Sequence, residues 1–225
     1  MNANGGVPTD GTVQEQLGRF STSAVSDALD RLGIAGQVLG IRPLGTRFRL
    51  CGPAWTVQYA PSNGRDGGTV GDFLDDVPPG SVIVIDNGGR QDATVWGDLM
   101  TTVANRNGVA GTVIDGVSRD SVRALDVGYP IFARSSFMRT GKDRVAWLGC
   151  GMAVTVGGQP VRPGDVVVGD ADGVVVIPQD AAEEVLSAVE EIESAEELVR
   201  AEIAKGTSLR EARARVGYHK LQSRR

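Results

Sequence analysis

Residues 95–120 read VWGDLMTTVANRNGVAGTVIDGVSRD, and the order of patterns inside this stretch decides the fold. GDLMTTVANRNG (97–108) predicts a helix with Asp98 in its first turn. VAGTVIDG (109–116) follows at once as a buried strand. Upstream, SVIVID (81–86) is an apolar run closed by NGG, which marks a strand buried on both faces. Downstream, SRDSVRALDVG (118–128) predicts a short helix and YPIFAR (129–134) a further strand. This alternation of strand and helix predicts parallel pairing through helical crossovers, and hence an α/β fold.

Working outward, STSAVSDALDRLG (21–33) predicts an amphipathic helix capped by Thr22 or Ser23 and ended by Gly33. CGPAWTVQYA (51–60) predicts a strand, and residues 64–80 a loop with a short helix before a Pro-Pro-Gly turn. The segment 151–178 changes character to strands and turns, with GDADGVVVIP (169–178) as a hairpin marked by its DG. PPGSVIVID (78–86) and RPGDVVVGD (162–170) share a turn-then-strand pattern. DAAE (180–183) predicts a capping box that opens a Glu-rich helix running to about Lys205, with Val185, Ala188, Val189 and Ile192 on its packing face. The expected organisation is a flexible N-terminus over 1–18, one domain over 19–205, and a C-terminal short helix and tail over 206–225.

Composition narrows the chemistry. A chain of 225 residues with net charge −5 is long enough for a sizeable core. Its acidic balance argues against nucleic acid as a partner. No apolar run reaches the roughly 20 residues of a membrane helix, and no signal peptide is visible, so a cytoplasmic location is expected. Cys51 and Cys150 match no metal or redox spacing and read as free, mostly buried thiols. His219 is the only histidine, which argues against a Ser–His–Asp hydrolase or a histidine-rich zinc site. Lys142, Lys205 and Lys220 all lie outside apolar strands, which argues against a Schiff-base lysine. The chain has no G-x-x-x-x-G-K-[ST] phosphate loop.

Ligands of parallel α/β sheets gather beyond the carboxyl ends of the strands. If VIVID and GTVID are neighbours, the helix start at 97–100 faces Arg119 and Asp120. The amides of Gly97, Asp98, Leu99 and Met100 would then favour an anion, and Gly97 would admit close approach. A small carboxylate fits better than a diphosphate. Arg119 offers a planar fork for a carboxylate, and Asp120 a hard oxygen ligand for Mg²⁺ or Mn²⁺. Ordinary readings stand beside these. Arg-Asp after a strand also serves as a turn, a cap or a surface ion pair, and Asp98 as an N-terminal helix acid. Asp86, Asp115 and Asp170 each close a Val- or Ile-rich run, where turn formation is the default.

STSAVSDALDRLG, CGPAWTV, VWGDLMTTVANRNGVAGTVIDGVSRD and GDVVVGDADGVVVIP, in that order, resemble the RraA-like family. That family includes 4-hydroxy-4-methyl-2-oxoglutarate / 4-carboxy-4-hydroxy-2-oxoadipate aldolases and the regulator of ribonuclease activity A. The resemblance covers about residues 20–205. It implies a compact β/β/α single domain, similar to the swivelling phosphohistidine domain, with a C-terminal helix. It also implies trimers or dimers of trimers with sites at subunit interfaces. The family's Asp, followed twenty-one positions later by Arg-Asp, matches Asp98, Arg119 and Asp120.

By resemblance, Gly97–Met100 and Arg119 bind a pyruvyl group, Asp120 binds Mg²⁺ or another divalent metal, and Asp98 orients a water for proton transfer. The implied activity is a class II type aldolase that releases pyruvate from a 4-hydroxy-2-oxo acid, with oxaloacetate decarboxylation beside it. The alternative is a non-catalytic regulator that binds a ribonuclease. Where aldolase members often carry an acid three positions after the metal-binding Asp, this chain has Arg123, which points to a differently charged substrate. A family Glu from a neighbouring subunit would correspond to Glu193, Glu196, Glu197 or Glu202.

Overall fold

A computed structural model describes residues 11–62 and 70–217. The strands are β1 (Gln37–Val38), β2 (Arg42–Pro43), β3 (Leu50–Pro61), β4 (Val82–Arg90), β5 (Gly111–Ser118), β6 (Ile131–Ser136), β7 (Val145–Cys150), β8 (Val154–Val156), β9 (Gln159–Val161), β10 (Val166–Asp170) and β11 (Gly173–Ile177). The helices are α1 (Val13–Leu17), α2 (Thr22–Leu32), α3 (Asp98–Arg106), α4 (Ser121–Val127), α5 (Ala182–Ala204) and α6 (Leu209–Val216), with short 3₁₀ turns at Asp72–Asp76 and Gln179–Ala181.

One sheet runs β1-β11-β10-β3-β4-β5-β6-β2, with β7 on the distal half of β3. The pairs β3–β4, β4–β5 and β5–β6 are parallel, as the strand–helix alternation predicts. Asp86 lies opposite Asp115, so VIVID and GTVID are indeed neighbours. Side chains alternate across this parallel region because the strand period is two. Ile83, Ile85, Ile114 and Ile131 meet Met100, Ala104 and Ala124 of α3 and α4 on one face. Val82, Val84, Val113 and Phe132 meet Val154, Val156 and Val161 of the β8–β9 ribbon on the other. A further cluster joins α1, α2 and α5 to β10 and β11 through Val166, Val168, Val175 and Ile177.

Several sequence expectations are corrected here. Residues 13–17, expected to be flexible, form α1. Thr12 and Glu15 cap it reciprocally, and Leu17 is fully buried beneath α5. Ser21, not Thr22 or Ser23, caps α2 by accepting from Ala24 N. Thr22 instead gives its N–H and hydroxyl to Asp170 at 2.8 and 2.6 Å. The DAAE capping box does not form: Ala181 is the N-cap of α5 and makes no side-chain bond. The entry to α5 is held from another loop, where Asp165 accepts from Arg162 N and Gln179 N.

Asp86 makes the expected turn, its Oδ1 accepting from Gly88 N at 2.8 Å, while Asp115 is taken up by longer-range contacts. Asp86 Oδ2 accepts from Thr155 N at 3.3 Å, and Asp115 Oδ2 from Gly157 N at 2.9 Å. Asp115 also pairs with Arg134, so the two carboxylates clamp the β8–β9 ribbon onto the sheet. The predicted hairpin is present, with Asp170 opposite Gly173. PPGSVIVID and RPGDVVVGD become β4 and β10, which flank β3 with opposite polarity. The C-terminal short helix is α6, while His219 lies outside the described residues. Cys51 and Cys150 are free and partly buried, and burial pushes the Cys51 thiol up to about 11 against the pull of Arg49. Among the described residues no helix is long and apolar enough to cross a membrane.

Asp170 carries a testable consequence. Burial raises its carboxyl pKa, but the bonds from Thr22 and Asp172 N together win and hold it below the ordinary value of 3.8. A depressed folded pKa contributes stability above the unfolded value, and this is lost as pH falls through the folded one. Asp170→Ala should therefore lose about 2–3 kcal/mol at pH 7. In urea titrations its deficit against the parent should shrink below about pH 4. A deficit independent of pH would sink this account.

Candidate active site

The carboxyl ends of β4, β5 and β6 open on one side of the sheet, and each sends a loop to a common cavity of about 510 Å³. From beyond β4 come Thr94, Trp96 and the start of α3, from Gly97 to Met100. Beyond β5 comes Arg119, and beyond β6 the segment Thr140–Asp143. Val70 and Asp72 close a further wall.

Trp96 fixes where α3 begins. Its ring is buried and stacks on Tyr129, with centroids 6.2 Å apart. Its indole N–H donates to Thr101 Oγ1 at 2.9 Å, and that hydroxyl donates to Gly97 O. Thr94 Oγ1 lies 2.8 Å from Trp96 O and 2.9 Å from Val117 O, and its one proton is shared between these carbonyls, which ties the β4 loop to the end of β5. Arg119 N adds a bond to Trp96 O at 3.2 Å. Glycine at 97 offers no side-chain cap, so the first amides of α3 have no helix partner, and Gly97 to Met100 line the cavity.

Asp120 supplies the missing acceptor from the neighbouring strand end. Its backbone is left-handed, with φ 55° and ψ 38°, a conformation Asp tolerates better than most residues. This turns the carboxylate away from α4, which it does not cap, and towards α3. Oδ2 accepts from Asp98 N at 3.3 Å and lies 3.3 Å from Arg119 Nε. A Cβ at position 97 would stand 3.1 Å from that Oδ2 and 3.3 Å from that Nε, so a larger residue would push these two side chains by a few tenths of an ångström. The Arg119–Asp120 contact is thus an ion pair, 38% and 42% exposed, seated on a helix start.

The structure brings Gly97, Asp98, Leu99, Met100, Arg119 and Asp120 to the cavity or its rim. Asp98 and Leu99 are exposed, and Met100 is buried. Arg123 points elsewhere: its Nε lies 3.4 Å from Thr102 Oγ1, joining α4 to α3. Glu193, Glu196 and Glu197 pair with Arg200, and Glu202 with Lys205 and Arg215. None of these four glutamates lines the cavity of its own chain.

Sequence reasoning missed the third wall, Thr140–Asp143. YPIFAR reads as a strand, and the same rule about carboxyl ends points to the loop after it. Lys142 therefore belongs to the cavity. It is exposed rather than desolvated.

A family model described as RraA-like, Aldolase/RraA, matches residues 22–176. Protein DlpA of Legionella pneumophila subsp. pneumophila is 40% identical over 201 residues, which is 88% of this chain and 33% of that protein. The chain thus spans about a third of that relative's length. A candidate 4-hydroxy-4-methyl-2-oxoglutarate aldolase of Halalkalibacterium halodurans is 37% identical over 171 residues, 76% of this chain and 79% of that one. The crystal structure of Streptomyces coelicolor RraAS2, an unusual member of the RNase ES inhibitor RraA protein family, matches with a TM-score of 0.77. Its identity is 31%, over 85% of this chain and 96% of that one, and it shares the mixed α/β architecture.

Proposed function

The chain belongs to the RraA-like family, and from that premise we propose that it is a divalent-metal-dependent carbon–carbon lyase. Its substrate would be a 4-hydroxy-2-oxo acid cleaved to release pyruvate, with oxaloacetate decarboxylation as a side reaction. The observation that carries this reading is that Arg119 and the start of α3 line one cavity, while Asp120, outside that lining, contacts both of them.

Each chain residue has a task in this reading. The Arg119 fork and the amides of Leu99 and Met100 bind and orient the substrate carboxylate. Cleavage breaks the C3–C4 bond, leaves its electron pair on the pyruvyl fragment and turns the C4 hydroxyl into a carbonyl. The hydroxyl proton passes through a water to Asp98 and returns to C3. The fixed positive potential of Arg119 and the helix start stabilises the charge that develops between those events.

The donor set suits a metal held mainly by water and substrate. Among the described residues no three His, Cys, Asp or Glu side chains converge as a ligand cluster. Asp120 offers one carboxylate, and both protein contacts to it fall on Oδ2. One or two carboxylates are what Mg²⁺ commonly takes from a protein. When bound there, the ion supplies the Lewis acidity that retro-aldol chemistry requires. We further propose a cytoplasmic enzyme acting as a homotrimer or dimer of trimers.

The test is pyruvate release from a panel of 4-hydroxy-2-oxo acids and oxaloacetate, followed by NADH oxidation through lactate dehydrogenase, with Mg²⁺ or EDTA. Release that requires the metal is the expected result. Saturating Mg²⁺ and Mn²⁺ without turnover of any 2-oxo acid would overturn the reading. A second reading, a ribonuclease-binding regulator, is favoured by the groove along α5, where Glu190, Glu193 and Glu197 surround Leu198, which is 60% exposed. Capture of a ribonuclease by an enzymatically silent protein would select it.

A further inference from the structure

A second cavity, of about 440 Å³, is lined by Trp55, Asp72, Phe73, Asp76, Trp147 and Cys150, and shares only Asp72 with the lining described above. We propose that it is a binding site for a small organic cation of the quaternary ammonium class. The proposal does not depend on the lyase reading.

Strand pairing assembles the walls. With a period of two, Trp55, Val57 and Tyr59 of β3 share one face. On β7, Cys150 stands opposite Val57 and Trp147 opposite Tyr59. The register shifts between those pairs, with Leu148 as the extra residue of β7, and this is what brings Trp147 round to the face of Trp55. The 3₁₀ turn Asp72–Asp76 closes the space. Its period of three sets Asp76 on the same side as the buried Phe73. Trp147 is 47% exposed, so a large indole stands at the cavity mouth.

Three aromatic side chains thus meet a carboxylate, Asp76, that forms no ion pair among the described residues. The lining holds no Lys or Arg. Burial pushes the Cys150 thiol up, so it stays uncharged at neutral pH. Aromatic rings attract cations through their quadrupole, and indole does so most strongly. An alkylated ammonium satisfies both features, because its methyl groups bury against the rings while its charge faces Asp76. A plain ammonium is strongly hydrated and would give up more water on entering. An anion would be repelled by Asp76, and a neutral apolar ligand would gain only the area it buries.

The experiment titrates choline and its neutral isostere, 3,3-dimethylbutan-1-ol, against the whole chain and follows the methyl resonance of each ligand by NMR. The two have the same shape, so their difference reports the charge. Choline should bind about tenfold more tightly than the isostere. Trp147→Leu should weaken choline by about tenfold, and Trp147→Phe, which keeps a ring, by about threefold. Asp76→Asn should weaken choline by about fivefold and leave the isostere unchanged. Trp147 and Asp76 are both exposed, so the urea midpoints of these variants should stay close to the parent's. Equal affinity for the two ligands, binding of neither, or choline binding unmoved by either Trp147→Leu or Asp76→Asn overturns the proposal and leaves the lyase reading untouched.

Discussion

Arg119→Ala should lower pyruvate release by about 10²–10³-fold while the protein stays folded. The Arg119 side chain is 38% exposed and its pair with Asp120 is half in solvent, so its net worth to stability is about 0–1 kcal/mol. The loss would lie in the reaction, where a guanidinium fork fixes a planar carboxylate beside the developing charge. Arg119→Lys should recover little, because an ammonium cannot offer two parallel donors. Asp120→Asn should be as damaging for another reason. Asparagine keeps the left-handed backbone and can still accept from Asp98 N, but it withdraws the negative oxygen that a hard cation requires. The two variants should part in metal titrations: activation by Mg²⁺ shifts to higher concentration in Asp120→Asn and much less in Arg119→Lys. Parent-like turnover in Arg119→Ala, with an unchanged melting temperature, would remove this cavity from the chemistry.

The parts of the molecule that were legible in sequence are those where a local pattern and the tertiary environment agree. SVIVID, GTVID and IFAR are apolar on both faces because helices cover one side and the β8–β9 ribbon the other. Their order along the chain therefore predicts the parallel core and places Gly97–Met100 opposite Arg119. The misreadings share a physical cause: a short polar side chain can serve a distant backbone as readily as its own. Asp170 makes its turn by accepting from Asp172 N, and it also holds the first turn of α2, 148 residues away. Asp86 bonds Gly88 N locally, but it and Asp115 also hold a ribbon that follows them by 69 and 42 residues. Asp180 has the spacing of a capping box, yet Asp165 fixes that entry from elsewhere. Lys142 lies in no apolar strand, yet a cavity built from strand ends draws its charges from loops.

Gly141→Ala tests whether that third loop is part of the site's framework. Gly141 is buried, and a Cβ there would overlap the carbonyl oxygen of Thr94 and stand 2.8 Å from Val145 Cγ2. The obstacle is backbone and cannot rotate away, so the segment must lift. Its anchors are local: Arg144 N and Val145 N both donate to Gly141 O, and Thr94 N donates to Arg139 O at 3.0 Å. Thr94 in turn ties Trp96 to Val117, the two strand ends that carry Gly97 and Arg119. A methyl group at 141 should thus cost about 2–3 kcal/mol in urea denaturation. It should also lower kcat/KM by about tenfold or more, although no group that touches substrate is altered. Lys142→Ala separates the two roles of the loop. It removes one exposed ammonium, leaves the Thr94 contact in place and should leave the urea midpoint close to the parent's. If Gly141→Ala proves as stable and as active as the parent, the loop is only a lid resting on Thr94. If both measures fall while Lys142→Ala loses activity alone, the glycine is what seats the third wall against the first two.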